Sequence, residues 1–157
     1  LSPKLEARLL QELRLQRHER VLEIGTGSGF MAALLSHRAR QVVTLEINPT
    51  LAAAAAENLR RAGISNVSVL GADGAKRLPA AGPFDAIVLS GSVAAVPQDL
   101  LNELKIGGRL IALVGQEPIM RGTLIKRLSE HRFDSTDLFD AVAPRLHGFD
   151  EPSRFAF

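Results

Sequence analysis

The chain is 157 residues long, the usual size of one domain, and its 46% hydrophobic and 23% charged content leaves no apolar run near the ~18 residues a membrane span needs. A net charge of +2, with neither Tyr nor Trp to stack on bases, excludes a basic, aromatic nucleic-acid footprint, and the high pI reflects only the lack of groups titrating between His and Lys. The absence of cysteine excludes disulfides, a thiolate nucleophile and thiolate-bound metal, and fits a reducing, cytoplasmic compartment.

Ser2 and Pro3, followed by Leu5, Leu9, Leu10 and Leu13, predict an N-capped amphipathic helix with proline at its first position. Residues 21–24 form a short buried strand, residues 30–37 a helix, and residues 41–46 (QVVTLE) a second, β-branched strand. Pro49 opens an Ala-rich helix that runs to Arg61 and is stopped by Gly63, and residues 67–70 give a third strand. Residues 84–89 (FDAIVL) form a fourth strand and residues 97–104 a helix. The Gly107-Gly108 turn then leads into a fifth strand over residues 109–114, and residues 119–129 read as a further helix.

Strands alternating with helices mean βαβ units and a parallel sheet covered on both faces. Beyond the fifth strand the rhythm changes. Residues 133–142 and 154–157 look extended, joined by the stretch APRLHGFDEPS, and predict an antiparallel hairpin closing one edge of the sheet. The expected fold is a doubly wound α/β domain spanning residues 1–157.

The first strand runs into VLEIGTGSGF, with Gly25, Gly27 and Gly29 in its turn. In a doubly wound fold that turn lies at the carboxyl end of the sheet, where bare backbone lets a ligand approach. A dinucleotide fingerprint requires a third small residue where this chain has Phe30, so a nicotinamide cofactor does not fit. What stands here is an acid, Glu23, two residues before the first glycine, and then glycine at every second position. Glu46 ends the second strand, where a carboxylate can accept both hydroxyls of a ribose. Asp73 follows the third strand in GADGA, where it suits the start of an Asx turn.

These residues resemble the class I S-adenosylmethionine-dependent methyltransferases, whose first motif is E/D-x-G-x-G-x-G. The stretches VLEIGTGSGFMAALL, NVSVLGADGA, PFDAIVLSGSV and LKIGGRLIALVG are similar in particular to the protein-L-isoaspartate O-methyltransferase family. The resemblance implies a mostly parallel seven-stranded, Rossmann-like sheet. It implies S-adenosyl-L-methionine as cofactor, leaving as S-adenosyl-L-homocysteine, and a protein or peptide bearing isoaspartate as partner. Cofactor contacts are expected from Glu23, Ile24, Gly25, Thr26, Gly27, Ser28 and Gly29, from Glu46 and Ile47, from Ala72, Asp73 and Gly74, and from Leu89.

Departures from the family's pattern lie on the acceptor side. The family carries a hydroxyl in a T-I-S-x-P stretch; if Pro3 is that proline, Leu1 takes the hydroxyl position and Ser2 the x position, where Ser2 also suits a helix N-cap. The family's V-T-A-A-A-P after the fourth strand is LSGSVAAVP here, and the family's upstream substrate-binding segment has no counterpart in this sequence. Ser2, Ser90 and Ser92 are therefore the catalytic candidates. A carboxyl or small-molecule O-methyltransferase on the same scaffold, or a non-catalytic cofactor-binding module, are the alternatives. No N/D-P-P-Y tetrapeptide follows the fourth strand, as an amine-methylating enzyme would require. His18, His37, His131 and His147 lack partners at metal-ligand spacing and read as surface or packing residues. Asp134, Asp137 and Asp140 read as exposed carboxylates, and no metal is expected.

Overall fold

The structure, a computed structural model, describes residues 1–76, 78 and 82–152. Helix α1 (Pro3–Leu13) starts where the Ser2 hydroxyl accepts the Leu5 N–H at 3.2 Å, and it ends at Arg14, whose φ of 50° turns the chain back. Two βαβ units follow: β1 (Arg20–Ile24), α2 (Phe30–Ser36), β2 (Gln41–Glu46), α3 (Pro49–Arg61) and β3 (Val67–Gly71). The Asn48 side chain caps α3 by accepting the N–H groups of Thr50 and Leu51, and Gly63 releases the chain at φ 73°. β4 (Phe84–Val93), α4 (Gln98–Leu101), β5 (Leu104–Gln116), β6 (Ile119–Arg127) and β7 (Phe133–Ala141) complete the order. No described helix is long and apolar enough to cross a membrane.

The strands form one seven-stranded sheet in the order β3-β2-β1-β4-β5-β6-β7, parallel from β3 to β5 and antiparallel from β5 to β7. Strands β2 and β3 lie to one side of β1 and β4 to the other. The switch point, where crossovers leave in opposite directions and open a crevice, is therefore between β1 and β4. Alternation along each strand sends Val21 and Leu22 to opposite faces, so two cores form. One gathers Leu22, Ile24, Val43, Ile87, Leu89 and Leu110; the other gathers Val21, Val42, Val88 and Ile111 beneath α1 and α2.

The doubly wound, mostly parallel seven-stranded sheet is as expected, but several boundaries are not. The helix expected over residues 119–129 is strand β6, hydrogen-bonded to β5 from Gln116↔Ile119 to Arg109↔Lys126. Met120, Gly122, Thr123 and Ile125 are all buried although the β5–β6 register is unbroken, a pattern that imitates a helical stripe, and the irregularity between β6 and β7 leaves Leu138 of β7 unpaired. The helix expected over residues 97–104 is reduced to the single turn of α4. Gly107-Gly108 is not a turn before a short strand but an irregularity inside the long β5, with Gly107 at φ 87° and the pairing jumping from Phe84↔Leu104 to Ala86↔Arg109. β4 runs on to Val93, four residues beyond its expected end. The edge hairpin exists, but β7 pairs with β6, and residues 154–157 lie outside the described residues.

The hairpin is tied to α1 through Phe139. A Cβ on Gly122 would run into the Phe139 ring, so that ring lies on bare backbone, and the Arg8 guanidinium sits 4.6 Å from its centroid. At the amino ends of β1 and β4, Arg109 makes a bidentate pair with Glu19 (2.5 and 2.8 Å) and donates to the carbonyls of Leu13 (2.8 Å) and Arg14 (3.1 Å). Burial alone would raise the Glu19 carboxyl, but the Arg109 bonds and the Gln16 N–H outweigh it and hold the group below its ordinary range. Asp85 behaves alike: against the effect of burial, the Arg20 N–H (2.8 Å) and the Lys105 ammonium (3.3 Å) hold it low.

Candidate functional site

The turn after β1 needs its glycines. Gly25, Gly27 and Gly29 have φ values of 93°, 55° and 89°, a left-handed region that side chains disfavour. The N–H groups of Gly25 and Thr26 both donate to Leu45 O, at 2.8 and 3.2 Å, fastening the turn to β2. Glu46, at the end of β2, then accepts the Gly27 N–H on Oε1 at 2.9 Å and the Asn48 N–H on Oε2 at 3.0 Å. Asp73, beyond β3, accepts the Ala75 N–H on Oδ1 at 2.9 Å, the Asx turn that its sequence suggested. Between these groups lies a cleft of about 190 Å³ at the switch point, with apolar walls from Ile24, Leu45, Ile47, Leu51 and Leu146.

Beneath the cleft floor runs a buried polar chain. Glu23 is wholly buried; its Oε1 accepts the Thr44 hydroxyl at 2.6 Å and its Oε2 the Ser90 hydroxyl at 2.5 Å. The Thr26 and Thr44 hydroxyls lie 2.6 Å apart. Loss of solvent, reinforced by the negative charges of Glu6 and Glu46, outweighs the two hydroxyl bonds and pushes the Glu23 carboxyl up to about 7. Glu6, reaching in from α1, is also raised by burial, against the pull of the Leu1 ammonium. Its Oε2 has no hydrogen-bond partner among the described residues.

A strap after β7 crosses the cleft. Ser92 N–H donates to Pro144 O and Leu146 N–H to Ser92 O, both at 2.8 Å, while the Ser92 hydroxyl donates to Ala143 O at 2.9 Å. Arg145 anchors the strap through Gly115 O (2.8 Å) and Glu151 (2.6 Å). Leu146 comes down on the glycines: a Cβ on Gly25 or Gly91 would stand 2.7 Å from its Cδ2. At the strap's far end, a Cβ on Gly148 would stand 2.8 Å from the Asp73 carboxylate. Part of the close approach that keeps Gly25 bare is therefore made by the protein itself.

The cleft brings together Ile24, Gly25, Gly27, Glu46, Ile47, Ala72, Asp73, Gly74 and Ser90 of the expected site residues. The others have different surroundings. Glu23 and Thr26 are in the buried chain below, Leu89 is in the core, and Gly29 precedes α2 facing Ala55 and Leu59. The Ser28 carbonyl accepts from Asn58 at 3.1 Å. Among the catalytic candidates only Ser90 lines the cleft: Ser2 caps α1, and Ser92 holds the strap. Sequence reading missed Arg145, Leu146 and His147, all of which line the cleft. The glycine that follows them was the available signal, since Gly148 adopts φ 89° against Asp73. Asp137 and Asp140 are on β7, paired with Arg121 at 3.4 and 3.8 Å, and no group suited to hold a metal occurs among the described residues.

Residues 1–141 match the sequence profile of the protein-L-isoaspartate(D-aspartate) O-methyltransferase family. The chain belongs to that family. It is 45% identical over 114 residues to the protein-L-isoaspartate O-methyltransferase of Methanoculleus marisnigri, an alignment covering 73% of this chain and 52% of that protein. The chain thus spans about half the length of this curated relative. Among solved structures, a protein-L-isoaspartate O-methyltransferase superposes with a TM-score of 0.84 at 28% identity, covering 93% of this chain and 47% of the other. A Plasmodium falciparum protein solved in complex with S-adenosyl-L-homocysteine has the same fold, with a TM-score of 0.77 at 23% identity over 92% of this chain and 74% of its own.

Proposed function

We propose that the chain binds S-adenosyl-L-methionine in the cleft at the switch point and transfers its methyl group to the free carboxylate of isoaspartyl residues in proteins. The carrying observation is the geometry of Glu46. Each of its oxygens accepts one backbone N–H, which fixes the carboxylate and leaves a lone pair on each for the two hydroxyls of a ribose. Asp73 Oδ1 is engaged by Ala75, while Oδ2 has, among the described residues, only the Lys76 ammonium at 3.9 Å and offers a lone pair to an adenine amine. The residues present therefore fit the cofactor.

Bound there, the cofactor supplies an electrophilic methyl group on a sulfonium. The chain's own work is placement. Ser90 commits its hydroxyl proton to Glu23 and so presents an acceptor oxygen on the cleft wall, suited to a cationic group. Ile47 and Leu51 on one side and Leu146 on the other give apolar walls that keep water away from the reacting atoms. A carboxylate acceptor is already ionised at neutral pH, so holding two reactants in line supplies the acceleration without a strong base. Family membership supports the isoaspartyl acceptor.

The test is calorimetric titration with S-adenosyl-L-homocysteine, followed by a radiolabelled methyl-transfer assay on an isoaspartyl peptide beside its aspartyl twin. Saturable binding with transfer to the isoaspartyl form alone is the expected result. Binding with transfer to small carboxylic acids instead would replace the acceptor, and absence of binding would remove the cofactor.

A further inference from the structure

Three glutamates from α1, β1 and β2 act on one another, Glu6 and Glu46 both disfavouring ionisation of Glu23, and none has an ion-pair partner among the described residues. Glu23 is wholly buried, yet among the described residues its two oxygens are met only by hydroxyls. Glu6 is 8% exposed, and its Oε2 is buried with no hydrogen-bond partner among the described residues. A carboxylate left unpaired in the interior costs several kcal/mol as a rule, and structures keep such a group where something else supplies the opposite charge. Glu6 is close enough to Glu23 for its charge to disfavour Glu23's ionisation, and Ser90 connects Glu23 to the cleft wall. The negative field under the cleft is therefore built from two elements and carried to its surface by one hydroxyl.

We propose that Glu6, acting with Glu23 through Ser90, makes the cleft floor a seat for a sulfonium cation, so that their charge favours the methyl donor over its neutral thioether product. This rests on the cofactor reading given above. The donor and the product share the amino acid end, the ribose and the adenine, and differ in the charge on sulfur. A field from buried carboxylates acts on that difference, while the contacts of Glu46 and Asp73 act equally on both. Burial raises the Glu23 carboxyl, so a cation bound above it favours the ionised form and departure of the neutral product favours return of the proton. The other charged or titratable groups facing this region are the Leu1 ammonium beside Glu6, Glu46 on β2, and, across the cleft, Asp73 with Lys76, Arg145 paired to Glu151, and the His147 imidazole. Glu6 touches no reacting atom in this scheme and is a positioning residue.

The experiment is calorimetry of the purified protein with S-adenosyl-L-methionine and, separately, S-adenosyl-L-homocysteine at pH 6 and pH 8.5. The ratio of the two affinities is the readout. In the parent protein the ratio moves toward the donor by about tenfold between the two pH values, as charge appears beneath the cleft. Glu6→Gln, which keeps the shape, lowers the donor's share at pH 8.5 by about tenfold while leaving product affinity nearly unchanged. Glu6→Asp, which keeps the charge, restores most of the ratio, and Glu23→Gln flattens its pH dependence. Thermal denaturation of each variant confirms that it is folded. Equal changes in both affinities, or a ratio indifferent to pH and to Glu6→Gln, would overturn the seat while leaving the cofactor site standing. Failure of the parent protein to bind either ligand would overturn both.

Discussion

The two ends of the parallel sheet treat buried charge in opposite ways. At the amino ends of β1 and β4, Glu19 meets Arg109 in a two-pronged pair and Asp85 meets the Arg20 N–H and Lys105, so that each acid is held below its ordinary range. At the carboxyl ends, among the described residues, Glu23 has only hydroxyls and Glu6 has an oxygen with no partner, and both are raised by burial. A fold able to satisfy its charges at one end has left them unsatisfied at the other. The difference supports the carboxyl end as the place where the proposed ligand completes the arrangement.

The largest expected effect breaks the satisfied end. Arg109→Ala leaves Glu19 buried without its partner and removes the tie to the end of α1, and should cost about 3–5 kcal/mol in urea denaturation at neutral pH. The next sharpens the contrast by pH. Because the folded-state carboxyl of Glu23 is raised from 4.5 to about 7, the stability it contributes is fully present below pH 4.5 and lost as pH rises through 7. Parent protein should therefore lose about 3 kcal/mol between those limits from this group, and Glu23→Gln should lack that component when denaturation is compared at pH 5 and pH 8. Glu19 and Asp85 run the other way: held low, they add stability at neutral pH that is lost as the solution is acidified through their folded values.

At the cleft itself, Glu46→Ala releases the Gly27 and Asn48 N–H groups and deletes the lone pairs offered to a ribose. Calorimetry should show weaker S-adenosyl-L-homocysteine binding by roughly 1.5–3 kcal/mol, with the sheet's circular dichroism unchanged. The smallest effect belongs to a cap. Ser2→Ala deletes the acceptor of the Leu5 N–H and should lower stability by about 1 kcal/mol with no change in ligand affinity. Loss of affinity there would move Ser2 from the helix to the site.

What the sequence disclosed follows the same division. The first three strands, α1 to α3 and the glycine turn were legible because each has local punctuation: Ser2-Pro3, Asn48-Pro49, Gly63, and alternating glycines. β6 was not, because burial of both Gly122 and Thr123 hides its alternation, and only its neighbours' hydrogen bonds decide that IMRGTLIKR is extended. Glu46 and Asp73 could be found as acids at strand ends. The strap could not, since Leu146 reaches Gly25 from more than a hundred residues away and nothing local records that contact. Nor could the effect of Glu6 on Glu23, which depends on how α1 packs against β4 and β5.

Gly122 gives the molecule an intrinsic reporter. An aromatic ring resting on a backbone methylene shields the protons beneath it, so the Gly122 α protons should resonate far upfield of other glycines. Because Arg8 of α1 sits over the same Phe139 ring, any withdrawal of that helix frees the ring to tilt and returns those resonances downfield. Proton spectra of the unlabelled protein would then follow α1, and with it the segment that carries Glu6, during titration, heating or ligand addition without any attached dye.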